Sequence, residues 1–368
     1  MRIAYACSVA AYANDGVNDK ISTQVAYWRR AGHDVQLLCL SPRADRAGVE
    51  PALPGTVFAF RGVGERARAT VALAAAARRL VPDVVYLRYN LFLPPLPPLL
   101  RPLPVVVEIN TDNRREARLD GRAGWAYNEL SRGVTLRATA GLVCVTYELA
   151  RSADLTRYAK PTVVIGNGAD PAVTIALPPA SGERAAAVML IGYPAAWAGV
   201  DKVITLAQAL PELDVHLVGP RAGVPDGPLP ANVHVHGQLP RDGYRDVLAA
   251  ADFGIGPLAL HRKGMSEASP LKVREYLLHG LPVLTAHEDT DFLGEEPWFL
   301  RRLPNREDNV ATGVPAVRAW AASVAGRRVP RGDIVGRLGM EGKEAARLAF
   351  LTGLARTAPG VTAAPATS

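Results

Sequence analysis

A chain of 368 residues is long for one hydrophobic core and fits two domains of ordinary size. Its 49% hydrophobic and 21% charged residues exclude a disordered chain, and no stretch reaches the ~20 uninterrupted apolar residues of a membrane span, since residues 91–100 are broken by prolines. The formal net charge of +7 falls wholly in residues 1–170, which suits an anionic substrate, nucleic acid or an acidic membrane surface, and equally suits arginines spread over solvated helices.

From the first residue, apolar runs of strand length alternate with helical stretches. The order is a strand at 2–9, a helix near 18–31, strands at 34–40 and 56–61, a helix near 65–80, strands at 83–89 and 104–110, a helix near 116–138 and a strand at 141–146. Continuous apolar strands separated by helices predict a parallel sheet covered on both faces. The first thirteen residues imitate a signal peptide, but they alternate like a strand and lead into a helix, so they read as the first strand of the sheet. Cys7, Cys39 and Cys144 each sit singly inside an apolar run and read as buried thiols of a reducing cytosol, without the spacing of a zinc site or disulfide framework.

Residues 171–185 are aperiodic and rich in Pro and Ala, as a linker should be. A second series follows, with strands at 187–194, 214–220, 232–238, 253–258 and 282–287 and helices at 200–210, 242–252 and 271–280. The expected organisation is a first domain over 1–170, the linker, a second domain over 186–331, a helical stretch over 332–358 that packs back towards the first domain, and a disordered tail over 359–368. Open α/β sheets bind ligands at the carboxyl ends of their strands. The predicted fold class is therefore α/β, with two Rossmann-like domains facing each other across a cleft that holds the active site and closes for reaction.

The most informative segment is Glu267-Ala-Ser-Pro-Leu-Lys-Val-Arg-Glu275. Ser269 suits an N-cap and Pro270 the first helical position. The amides of Leu271, Lys272 and Val273 then face an anion such as a diphosphate at the positive end of the helix, with the Lys272 ammonium beside it. Glu267 precedes the helix and Glu275 lies about one and a half turns inside it, so one carboxylate can take sugar hydroxyls and the other ribose hydroxyls. The plainer reading of the same residues is a capped amphipathic helix with two surface glutamates. His234 and His236 alternate along one strand with no third ligand nearby, so no metal centre is expected. Gly62-Val-Gly-Glu-Arg-Ala67 imitates a dinucleotide fingerprint, but it follows the third strand instead of the first and lacks the acidic residue at the end of a following strand.

In this setting the chain resembles the retaining family-4 glycosyltransferases of GT-B fold, whose hallmark is a Glu-x7-Glu pair. The resemblance also runs through PLKVREYLLHGLPVLTA at 270–286, VVIGNGAD at 163–170, AGVD at 198–201, NVHVHGQLP at 232–240 and RRAGHDVQLL at 29–38, nearly the whole chain. It implies transfer of a hexosyl group from a nucleotide-diphosphate-sugar to a hydroxyl of an envelope glycan, a lipid or a natural product. Retention in the family is explained by front-face attack, with the leaving phosphate taking the acceptor's proton, and neither a metal nor a cofactor beyond the donor substrate is implied.

Carried onto these positions, the resemblance implies that Glu267 orients the donor sugar, that Glu275 binds the ribose, that Gly237, Gln238 and Leu239 meet the nucleobase, and that Gly16 lets the backbone approach the phosphates. Departures are equally specific. The family's Arg and Lys that clamp the diphosphate are matched by Tyr193 and Ala198, and its N-domain His by Asn110. Catalytic roles are expected of Glu267, Lys263 and Asn110, and donor contacts of Gly16, Tyr193, Gln238, Leu239, Ser269, Leu271, Lys272 and Glu275. Lys263 is the first candidate to replace the clamp, with Arg262, Lys20 and Lys272 behind it, and Trp197 either packs beneath the donor or fills the core. The missing clamp keeps open a degenerate GT-B protein that binds nucleotide or glycan without turnover, and a nucleotide-sugar epimerase of the same architecture is a third reading. Expected partners are the nucleotide-sugar donor and a sugar, lipid-linked or natural-product acceptor, with no nucleic acid. Arg114, Arg115, Arg118 and Arg122 leave two settings open for an otherwise cytoplasmic protein, an anionic envelope lipid or saccharide met by peripheral contact at the inner face of a membrane, or a soluble natural-product acceptor with the arginines merely solvated.

Overall fold

The computed structural model describes residues 1–13, 15–43, 50–90, 96–119, 121–182, 184–192 and 195–357. The expected tail at 359–368 lies outside the described residues, as does Tyr193. Two compact units form, one from Met1–Gly166 with the chain from Glu341 onward, the other from Asn167–Met340.

Unit 1 is built from β1 (Arg2–Ser8), α1 (Gly16–Arg30), β2 (Asp34–Pro42), β3 (Thr56–Phe60), α2 (Val63–Arg79), β4 (Val84–Arg88), α3 (Leu96–Leu99), β5 (Val105–Ile109), α4 (Asn113–Leu119), α5 (Arg122–Ala138), β6 (Gly141–Cys144), α6 (Tyr147–Arg151), α7 (Ala153–Thr156) and β7 (Thr162–Val164). Its sheet is wholly parallel, in the order β3-β2-β1-β4-β5-β6-β7. β1 pairs with β2 on one side, Ile3 opposite Val35, and with β4 on the other, Ile3 opposite Val84. The chain thus winds outward in both directions from β1, and the switch point falls between β1 and β4. All five residues of β5 are buried, Glu108 among the valines, because helices cover both faces of a parallel sheet. The three cysteines are buried and free.

Unit 2 repeats the plan with β8 (Ala185–Leu190), α8 (Val200–Ala209), β9 (Leu213–Val218), β10 (Val233–Gly237), α9 (Arg241–Ala250), β11 (Phe253–Ile255), β12 (Glu267–Ala268), α10 (Leu271–His279), β13 (Val283–Thr285), β14 (Glu288–Asp289), β15 (Leu300–Arg302), α11 (Asn309–Val324) and α12 (Arg331–Leu338). Its parallel sheet runs β10-β9-β8-β11-β13-β15, and β12 pairs with β14 in a small separate ribbon. The switch point here lies between β8 and β11. Residues 171–182 form neither helix nor strand, yet Leu177 is buried in the core of unit 2 and its N–H donates to the His279 carbonyl at 3.1 Å.

The stretch after residue 330 is not one helix. α12 buries Ile334 and Leu338 in the core beneath α10, and the chain breaks at Gly339 before α13 (Met340–Thr357). α13 returns to unit 1, where Leu348 and Leu351 enter the β1 core and Glu344 accepts from Trp28 Nε1 at 2.8 Å and Gln24 Nε2 at 2.9 Å.

Candidate active site

At the carboxyl end of the unit 2 sheet, the loops after β8 and β11 are laced together. Leu258 N–H donates to the Ala198 carbonyl at 3.1 Å and Ala259 N–H to the Trp197 carbonyl at 3.2 Å. Gly199 has φ +77, and a Cβ there would meet Leu258 Cβ at 3.1 Å, so this close approach requires glycine. Arg262 grips Asp201 with both Nη atoms at 2.8 and 2.7 Å, reaches Glu307 at 2.6 Å and donates to the Ala196 carbonyl at 3.0 Å. Arg262 is therefore a strap holding the loop to α8 and cannot serve as the diphosphate clamp for which the sequence made it a candidate. Its neighbour Lys263 turns the other way, with Nζ 4.6 Å from the centre of the Trp197 ring. Trp197 thus lies beneath a cation at the switch point.

The chain next forms β12, where Glu267 is 5% exposed and stands opposite Glu288 of β14. Ser269 does not cap α10. Its Oγ accepts the Asn167 N–H at 2.7 Å, and Pro270, extended at φ −72 and ψ 135, takes the cap position. Val273 N–H donates to the Pro270 carbonyl at 3.2 Å and so is not an open amide either. Leu271 and Lys272 keep amides that no turn of α10 can satisfy. Lys272 is half-buried, no carboxylate lies within ion-pair range among the described residues, and burial lowers its pKa to about 8. One turn on, Glu275 accepts a hydrogen bond from Tyr244 of α9 at 2.8 Å.

Arg274, wholly buried, holds the base of this assembly. It donates to the Asn167 carbonyl at 3.1 Å and pairs with Asp289 and Asp291. Asn167 of the VVIGNGAD segment is thereby fixed against Ser269 and Arg274. At the end of β10, Gly237 has φ +70, Gln238 is exposed and Leu239 leans on the core under α10. The third histidine that the sequence reading lacked comes from the neighbouring strand. His216 of β9 stacks on His234 with ring centres 5.0 Å apart, and its Nδ1 lies 2.9 Å from His236 Nε2. Among the described residues, no three His, Cys, Asp or Glu side chains are arranged to hold a metal ion.

In unit 1 the residues singled out by sequence behave differently. Gly16 is the first residue of α1, and the amides that follow it are taken by the chain's own acid, since Asp15 Oδ1 accepts from Val17 N–H at 3.0 Å and Asn18 N–H at 2.9 Å. Lys20 is no loop cation. It is buried in α1 and donates to Glu108 Oε1 at 2.7 Å, burial lowering its pKa to about 8 despite that carboxylate. Burial would push the Glu108 carboxyl up, but Lys20, Arg88 and Arg347 hold it well below the usual range. Asn110, just past β5, accepts from Arg88 Nη1 at 2.9 Å, while its Nδ2 is buried with no partner. Of the surface arginines, Arg114 pairs with Glu129 at 2.5 Å and Asp154 at 3.5 Å, and Arg115 with Asp112 at 3.2 Å, so this patch is less basic than its sequence.

Both sheet orders and the motifs at their carboxyl ends meet in the comparisons with known proteins. A family model described as a glycosyl transferase 4-like domain matches residues 15–168. The two units together have the GT-B fold. Sucrose-phosphate synthase of Thermosynechococcus elongatus superposes with TM-score 0.69 at 14% identity, covering 95% of this chain and 98% of that one. The Anabaena protein HepE, in complex with UDP and glucose, gives 0.64 at 14% identity over 95% and 99%. The lipopolysaccharide outer core galactosyltransferase WaaB gives 0.60 at 12% identity over 96% and 100%. No curated protein matches the chain by sequence. The buried Glu108 cluster is not evident from local patterns, although an acid in the middle of VVVEIN signals buried cations that must meet it.

Proposed function

We propose that the chain is a retaining, metal-independent glycosyltransferase that moves a sugar from a nucleotide-diphosphate-sugar to a hydroxyl acceptor. The observation that carries this reading is the start of α10. There Lys272, without an ion-pair partner among the described residues, and the amides of Leu271 and Lys272 that α10 leaves unbonded lie between a buried Glu267 and a Tyr244-held Glu275, at the carboxyl end of a parallel sheet. The UDP in the HepE complex supports a nucleoside diphosphate as the occupant. In this reading Lys272 and the Leu271 and Lys272 amides hold the diphosphate, and Lys263, set over Trp197, is the second cation in place of the absent clamp. Glu275 takes the ribose hydroxyls, Gln238 and Leu239 meet the base through their backbone, and Glu267 takes the sugar hydroxyls. The acceptor oxygen attacks the anomeric carbon on the face from which the diphosphate departs, and its proton passes to the leaving phosphate oxygen. Asn110 of unit 1 serves the acceptor side.

Incubation with UDP-, GDP-, ADP- and dTDP-hexoses tests this, with released nucleotide assayed and the product anomer read by proton NMR. One nucleotide should be released with the donor's configuration kept in the product, at the same rate in EDTA. An inverted product, or a rate abolished by EDTA, contradicts the reading. A binding protein without turnover is the second reading. It is favoured by Asp15, whose carboxylate occupies the α1 amides, and by Ala198 at a clamp position. Nucleotide binding with no release would decide for it.

The acceptor's setting has an observation of its own. On α5, Tyr127, Leu130 and Val134 form an exposed stripe, Leu130 at 79%, and Arg137 at its end lines a pocket of about 340 Å3 with Arg157 and Lys160. That pairing of apolar stripe and cations fits peripheral contact with an anionic membrane surface, testable by sedimentation with anionic vesicles at low and high salt.

A further inference from the structure

The Glu108 cluster carries more positive than negative groups. Lys20, Arg88 and Arg347 surround Glu108 and Glu344, and every one of these side chains is at most 2% exposed except Arg88, at 13%. A surplus cation in a dry interior is costly unless an anion meets it. Arg88 is where that anion can arrive. It is the last residue of β4, opposite Glu108 in the register, and β4 borders the switch point of the sheet. Its Nη1 is pinned, donating to Glu108 Oε2 at 3.2 Å and Asn110 Oδ1 at 2.9 Å. Its Nε and Nη2 make no hydrogen bond among the described residues, and its side chain is 13% exposed. Beside it, the Nδ2 of Asn110 is buried and has no partner among the described residues.

A guanidinium held at one nitrogen by a buried carboxylate, its other two nitrogens without a partner among the described residues, is a planar fork for two oxygens of one group. We propose that Arg88, with Asn110 beside it, is a subsite for a carboxylate or phosphate carried by the acceptor, which makes the acceptor an anionic sugar or sugar derivative. The word acceptor rests on the glycosyl-transfer reading above, whereas the anion subsite is a property of unit 1 alone. An anion bound through an acceptor and one bound as the donor's diphosphate share this chemistry, and the variants below separate the two.

The test is a melting-temperature and calorimetric titration of the full chain with glucose 6-phosphate, glucuronate and glucose, in wild type, Arg88→Gln and Glu275→Gln. At least one of the two anionic sugars should stabilise wild type and Glu275→Gln while glucose does not, and Arg88→Gln should bind that sugar roughly 10- to 100-fold more weakly. Equal stabilisation by glucose, binding retained in Arg88→Gln, or no binding of either anion to folded wild type overturns the proposal. Binding lost in Glu275→Gln but kept in Arg88→Gln assigns the anion to the donor site and overturns it too. Should Arg88→Gln lose its native circular dichroism, Arg88→Lys keeps the charge without the fork. The same weakening is then expected, and undiminished binding refutes the proposal. A separate nucleotide titration reports on the glycosyl-transfer reading, so failure of one is not mistaken for failure of the other.

Discussion

In unit 1, Lys20 of α1 is committed to Glu108 inside the protein, whereas in unit 2 Lys272 stands at the start of α10 with no carboxylate in range among the described residues. Both lysines have a pKa lowered to about 8, and in both burial is the leading cause. The difference lies in what answers the charge. Glu108 answers Lys20 within the fold, so that pair supports structure. Nothing among the described residues answers Lys272, which leaves its counter-charge to a ligand.

The largest effect should come from breaking the answered charge. Glu108→Ala leaves three cations buried around a void and should cost about 3–5 kcal/mol of unit 1 stability by calorimetry. A loss under about 1 kcal/mol would mean the cluster is solvated and the contrast false. Lys272→Met should do the reverse, leaving the melting temperature unchanged or raised while nucleoside diphosphate affinity falls about 10- to 100-fold.

The same lysine predicts a pH dependence. Its folded pKa, about 8, lies below its ordinary value of 10.5, so between these the unfolded chain holds more protons than the native one. The unfavourable contribution is complete below pH 8 and is relieved as pH rises towards 10.5. Any melting-temperature advantage of Lys272→Met over wild type should therefore shrink across that interval, and wild-type nucleotide affinity should decline across it. Subtracting the two proteins removes the similar titration of Lys20. The smallest effect is expected of Tyr244→Phe, which removes one hydrogen bond to Glu275 and should weaken nucleotide binding by about 0.5–1.5 kcal/mol, with at most a small fall in the unfolding midpoint and an unchanged denaturant slope.

Both parallel sheets were legible because apolar strands buried on two faces leave a nearly continuous signal, as in VVVEI of β5. Strand order and the laced switch-point loop were not, since they depend on contacts such as Leu258 to Ala198 that no local pattern encodes. The Glu267 and Glu275 spacing marks a candidate site in the sequence, but the cap went astray. Ser269 is a good N-cap by propensity, and it is drawn instead to the Asn167 amide, 102 residues away in sequence. Arg262 and Lys263 look alike in sequence and part company only because Asp201 and Glu307 lie within reach of Arg262. The helical stretch after 330 was read as one piece because nothing in its periodicity announces that Gly339 divides it between two cores.

The most direct measurement is the melting temperature of the full chain with UDP, GDP, ADP and dTDP and their hexose conjugates, in wild type and Glu275→Ala. Binding to the native state alone raises the transition with the logarithm of ligand excess over Kd. The account predicts a rise with one nucleotide family that disappears in Glu275→Ala. A rise that survives in the variant, or none with any nucleotide in folded protein, would contradict the placing of the donor at the start of α10.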